Sequence, residues 1–368
     1  MRRSVLPLAG AVWFLGCPAP LPVPTDGGID GGLDVGAACS PRPAFTENVA
    51  SCTALGTDYQ PRVAMSAMDT WPACISDSNV FTPINANIST VARITAFEEV
   101  ARLLWTDDVS PSAQAFVDAR VQYALDQGLD SRVQRREDVH YPAAPMPCST
   151  AGVPEQYPDR CAGPTKILPV LNDAFAKGSL GDSPRVNAAR VEASLLWFLY
   201  LSALSEVMSC TQRPQDCDSC WAYYAGATPR EMPLGLARRV RELGPATHDR
   251  AYDATLAVRC WRNLDNETGV AMDTARRDLA REQLDRALLR GVALIVRQKV
   301  TEVPCSTGSV QSARLAFLNT LAPWLDRAAR ERNPALADQL ATNLQTTTAA
   351  SLDVAGTLSA LDTLFACP

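Results

Sequence analysis

The chain has 368 residues, 47% of them hydrophobic and 20% charged, with 34 Lys and Arg, 40 Asp and Glu and only two His. Setting Arg2 and Arg3 aside leaves 32 basic against 40 acidic residues, and no long run of Lys or Arg interrupts that balance. An acidic chain without a basic block is not built for nucleic acid.

Residues 1–16 read as an export signal: Arg2 and Arg3 precede a short apolar stretch, Val5 to Leu15, that is too brief to span a bilayer. The following Phe14-Leu15-Gly16-Cys17 resembles the lipobox of bacterial lipoproteins, with Phe14 where Leu is usual. That resemblance implies an acylated Cys17, an outer-membrane lipid partner and a periplasmic or surface location. Residues 17–45 mix Pro with Gly-Asp repeats and cannot bury a core, so they read as a tether.

The remainder, 46–368, is expected to be a single all-α domain. Ser110-Pro111, Ser183-Pro184, Thr228-Pro229 and Asn333-Pro334 each place a capping residue before Pro at a first helical position. Thr228-x-x-Glu231 adds a capping-box pattern. Apolar residues recur at helical spacing, as in Val91, Ile94, Phe97, Val100 and Leu104. The expected helices are 88–106, 111–128, 166–177, 184–209, 217–225, 229–243, 246–263, 270–302, 309–331 and 334–364, the last with a break near Gly356. Segments 46–86 and 130–165 hold many Pro residues and resist assignment, so they are expected to be irregular and stapled. No stretch alternates with a period of two between hairpin turns, which argues against a large sheet.

Twelve Cys in an exported chain point to disulfides. With Cys17 taken by lipid, eleven remain, and the odd one is expected to be Cys39 in the tether. Cys148 and Cys161 are spaced to close one loop. Cys217-x-x-Cys220 in DCDSCWAYYAG has Trp221 where covalent haem would need His. A redox pair needs a strand-rich fold, and a zinc site would need Cys210, Cys217, Cys220 and Cys260 together. Structural disulfides through those four cysteines are the favoured reading.

Trp221, Tyr223 and Tyr224 could form a stacking platform for a ligand or belong to the core, since a buried helix often keeps only the tyrosine hydroxyls wet. Glu192 and Glu206, fourteen residues apart, share a face of the most apolar helix. Glu206 and Glu302 follow similar apolar runs, SLLWFLYLSAL and ALLRGVALIVRQ. His248 lies near a helix start beside Asp249 and Asp253. Facing helices that supply carboxylates and a His are how bundles build iron sites, so Glu192, Glu206, His248 and Glu302 are candidate metal ligands. The alternative is ion pairing, of Glu192 with the nearby Arg190 and of Glu206 with an Arg between 286 and 297. No catalytic residue stands out: nucleophile elbows, zinc-protease motifs and phosphate loops are missing from the sequence.

The stretch from Leu195 to Leu264, with Trp221-Ala-Tyr-Tyr-Ala-Gly226 inside it, resembles the algal low-iron-inducible, iron-assimilating periplasmic proteins in its order of apolar helix, Glu, acidic turn and aromatic run. Export, a Cys17 anchor and helical layout are also similar to the imelysin-like lipoproteins, whose Gly-x-His-x-x-Glu signature this chain lacks. These resemblances imply a role in binding iron or another small ligand. The expected function is therefore a lipid-anchored helical binding protein of the bacterial envelope, and not an enzyme. The alternatives are a structural or adhesive envelope protein and a carboxylate-dependent hydrolase.

Overall fold

The computed structural model describes Glu47 and residues 54–62, 70–106, 109–125 and 128–366. The signal, the tether, Cys17, Cys39 and Cys52 lie outside the described residues. These residues form thirteen α-helices and no strand, the all-α architecture that the capping and periodicity call for. In chain order they are α1 (Val91–Leu104), α2 (Ala113–Ala124), α3 (Asp130–Val133), α4 (Val153–Gln156), α5 (Leu168–Ser179), α6 (Pro184–Ser209) and α7 (Asp216–Ala225). Then come α8 (Gly235–Leu243), α9 (Pro245–Leu264), α10 (Thr274–Glu302), α11 (Gly308–Arg332), α12 (Pro334–Leu344) and α13 (Val354–Leu364).

Helix α6 is the axis of the fold. Its residues from Val191 to Leu204 are buried without interruption, on every face of the helix. By length and composition it could cross a membrane, but 83% of its apolar window is buried inside the protein. It is therefore a core helix, wrapped by α5, α7 and α11, while α9 and α10 pair beside it. One continuous apolar cluster runs from Tyr59 to Phe365. A small satellite forms around Cys148, Val153 and Cys161.

Several boundaries differ from the sequence expectation for local reasons. The Thr228-Pro229 pair does not start a helix: Thr228 Oγ1 donates to the Ala225 carbonyl at 2.6 Å and so closes α7. Helix α8 begins only at Gly235, whose φ is +62° and whose N–H donates to Glu98 at 2.7 Å. Ser112, not Ser110, caps α2 by accepting from Ala115 N. The last expected helix breaks between Gln345 and Asp353, well before Gly356, which lies inside α13 with Asp353 capping its N–H. Helix α5 runs past its expected end at 177, through Gly178 to Ser179. The glycine is needed there since a Cβ would collide with the Phe116 ring of α2.

Disulfides fasten the irregular segments. Cys148 pairs with Cys161 as the spacing suggests, Cys210 with Cys217 across the α6–α7 turn, and Cys74 with Cys260 of α9. Cys305 is disulfide-bonded as well. The expectation that Cys220 is also paired is wrong: its thiol is free and buried, and burial, reinforced by Glu206, pushes its ionisation well above the usual thiol range. Helix geometry explains this. Cys217 lies in the first turn of α7 and reaches back to Cys210, whereas Cys220 lies three residues further along the helix.

Peptide mapping of the non-reduced protein should recover those three links, and iodoacetamide should label Cys220 only after unfolding. A Cys217–Cys220 link, or fast labelling of the native protein, would contradict the arrangement. In the chain-entropy account, losing Cys74–Cys260 should destabilise by ~5 kcal/mol and losing Cys148–Cys161 by ~3 kcal/mol.

Candidate functional site

The four candidate metal ligands do not meet. Glu192 and Glu206 share a face of α6, but fourteen residues at ~1.5 Å rise put them about 21 Å apart along the axis, far beyond the ~2 Å reach of a metal–oxygen bond. His248 is in a third place. Its Nε2–H donates to the Arg230 carbonyl at 2.9 Å, which leaves Nδ1 to accept from the Tyr224 hydroxyl at 2.9 Å. Burial pushes its pKa down, so the ring is neutral with both nitrogens in use. Among the described residues no group of three His, Cys, Asp or Glu side chains could hold a metal ion.

Each carboxylate is instead held by cations. Glu192 takes Arg239 of α8 at 3.2 Å and Lys299 of α10 at 3.8 Å. Arg190, its expected neighbour, turns away to Asp173 at 2.6 Å. Glu206 is held by Arg136 at 3.4 Å, and Ser209 donates to it at 3.3 Å. Its cation thus comes from the irregular 130–165 segment and not from the 286–297 stretch. Glu302 accepts from Arg314 of α11 at 3.0 Å and from Gln298 at 3.0 Å.

Trp221, Tyr223 and Tyr224 do not form an exposed platform. Trp221 stacks on Phe81 with ring centroids 4.3 Å apart, and Tyr224 is fully buried against His248. Tyr223 meets Phe198 edge-on and lies under the Arg136 guanidinium at 5.3 Å. These are core aromatics packed against specific ring neighbours.

Two of the expected residues do come together. Glu192 and Glu302 line one cavity of about 330 Å³ between the end of α1, the start of α6, α8, α10 and α11. Arg239, Lys299 and Arg314 line it as well, so three cations face the two carboxylates they hold. Leu104, Ala188, Ala189, Val310 and Ala313 give it apolar wall. Trp105 closes one side with Arg239 over its ring at 5.7 Å, and its indole N–H is buried with no acceptor among the described residues. A surplus of cations and an unmet donor suit an anionic group; the same surroundings disfavour a bare cation, because both carboxylates are already neutralised.

A second polar cluster escaped the sequence reading. His140 is clamped by two carboxylates, Nδ1 to Asp138 at 2.6 Å and Nε2 to Asp285 at 3.0 Å, and Tyr200 of α6 donates to Asp285 at 2.6 Å. Burial acts to lower the His140 pKa, but the two carboxylates overcome it and raise the value to about 9. Burial would raise Asp285, yet His140 and the Tyr200 hydroxyl hold its carboxyl below the ordinary range. An imidazolium with both nitrogens donating has no lone pair for a proton or metal. It is a cross-tie that pins the 130–165 segment to α6 and α10. Only Asp138-x-His140 is local in sequence; Asp285 lies 145 residues away and left no signal.

A comparison of the chain with family models, with curated proteins and with solved structures finds no match.

The cross-tie makes stability depend on pH with a definite sign. A free His titrates near 6.5, so the folded protein binds this proton more tightly than the unfolded chain. That contribution is fully present below about pH 6.5 and is lost as pH rises toward about 9. It amounts to ~3 kcal/mol at full expression. Urea midpoints of the native protein should fall across this window, and His140→Gln should flatten the fall. An equal slope in both proteins would refute the cross-tie.

Proposed function

We propose that the chain is an exported, lipid-anchored binding protein of the bacterial envelope, and that it takes a small organic anion in the cavity shared by Glu192 and Glu302. The observation that carries this is the charge of the lining: Arg239, Lys299 and Arg314 outnumber Glu192 and Glu302, the two carboxylates they hold, around about 330 Å³ of space. Salt bridges alone would not call for such a void, since buried ion pairs are costly unless closely packed. The apolar wall and the Trp105 indole suit a molecule with a carbon skeleton and an acidic group. The disulfides support an oxidising, extracytoplasmic setting. Within the broader class of iron or small-ligand binding, an anion is favoured over iron, because a metal ion would first have to displace Arg239, Lys299 and Arg314 from their carboxylates.

Native mass spectrometry of protein purified from the envelope should show a small organic acid that leaves on denaturation. Lys299→Met should weaken its rebinding about tenfold, the equivalent of one charge-assisted hydrogen bond. Glu192 keeps Arg239 in that variant, so the fold should be intact. Stoichiometric iron, or an unoccupied protein whose melting no organic acid shifts, would overturn the proposal.

A further inference from the structure

The other end of α6 carries a second cavity, of about 170 Å³, lined by the 85–90 segment, α1, α3, the end of α6 and the first turn of α7. Three of its side chains have polar groups without adequate partners. Arg93 is 3% exposed, yet its one hydrogen bond among the described residues is a 3.4 Å contact to Thr90 Oγ1, and it forms no ion pair there. Its Nε–H is buried and unmet. Arg132 makes no side-chain hydrogen bond or ion pair among the described residues, and its Nε–H is likewise buried and unmet. Tyr223 is 1% exposed, and its hydroxyl has no hydrogen-bond partner among the described residues.

The acidic residues around this cavity are already engaged. Asp218 accepts the backbone N–H of Ile84 at 2.9 Å and of Asn85 at 2.7 Å. Asp216 pairs with Arg213 at 2.7 Å. Glu206, the remaining carboxylate, is held by Arg136 from behind the Tyr223 ring. Arg93 and Arg132 thus face one space with no ion-pair partner among the described residues. Burial lowers the basicity of Arg93, and the charges of Arg132 and Arg136 add to that against the opposing pull of Tyr223 and Glu206.

A buried guanidinium is costly when unpaired, and a guanidinium is the side chain best shaped to fork onto an oxyanion. We propose that this cavity is a binding site for a phosphate or sulfate group, with Arg93 and Arg132 supplying the charge and the Tyr223 hydroxyl a third donor. The site is independent of the organic-anion cavity, which lies at the opposite end of α6 and shares no lining residue with it. Glu206 stands at its edge, so a singly charged or protonated oxyanion is better tolerated there than a fully ionised one.

The test is calorimetric titration of the full-length exported protein with inorganic phosphate, sulfate and glycerol phosphate at low ionic strength, with acetate as the planar control. One site should be seen for phosphate or sulfate, with acetate at least about tenfold weaker. Arg132→Gln should weaken binding about tenfold or more, and Tyr223→Phe by several-fold. Arg93→Gln should abolish it; if that variant does not fold, Arg132→Gln and Tyr223→Phe decide the matter, because neither removes an existing partner. Tighter binding of glycerol phosphate than of inorganic phosphate would identify a phosphoryl group carried on a larger molecule. Lys299→Met should leave all of this unchanged, so a failure at either cavity is told apart from a failure at the other. The proposal is overturned if no oxyanion gives heat or raises the melting temperature, or if Arg132→Gln binds as the parent does.

Discussion

Everything in this molecule follows from surrounding α6. A helix that is apolar on all faces has to be wrapped on all sides, and the wrapping is done by α5, α7 and α11, with α9 and α10 paired beside it. Two of its buried residues are carboxylates, Glu192 near its start and Glu206 near its end. A carboxylate cannot be taken out of water without compensation worth several kcal/mol. The fold brings cations to each end, Arg239 and Lys299 from α8 and α10 in one case and Arg136 from the 130–165 segment in the other. At both ends the cations exceed what the carboxylates require, and at both ends a cavity remains.

The proposed ligands of both cavities are therefore anions. The four residues that looked like metal ligands are a set of counter-ion positions and one neutral, fully bonded histidine. The free thiol of Cys220 and the aromatic run beside it belong to the core packing that supports Glu206 and Tyr223. The clamped His140 holds the long irregular segment in place, and that segment in turn delivers Arg132 and Arg136. Structure and candidate sites are thereby linked through one segment that has little regular secondary structure of its own.

Much of the scaffold was legible in the sequence and little of the polar chemistry was. Ser183-Pro184 and the long apolar run fixed α6 as Pro184–Ser209, and Asn333-Pro334 marked the start of α12, because both signals are local. Thr228-Pro229 misled because the same hydroxyl can close the preceding helix as readily as open the next. The cysteine spacing showed the short Cys148–Cys161 link, but connectivity across 186 residues, as in Cys74–Cys260, has no sequence signature. The partners of Glu206 and His140 lie 70 and 145 residues away and were equally invisible. Sharing a helix face was mistaken for sharing a site, an error that the rise per residue corrects.

At the centre of this structure, Glu206 is a buried counter-ion to Arg136. A double-mutant cycle on Glu206→Gln and Arg136→Gln, followed by urea unfolding with helical content monitored, measures this directly. Each single change should cost about 3 kcal/mol, because it strands a buried charge. The pair together should cost at least about 1 kcal/mol less than the sum, with native helicity kept throughout. Strictly additive costs, or a Glu206→Gln protein of full stability that has lost bound iron, would contradict the claim.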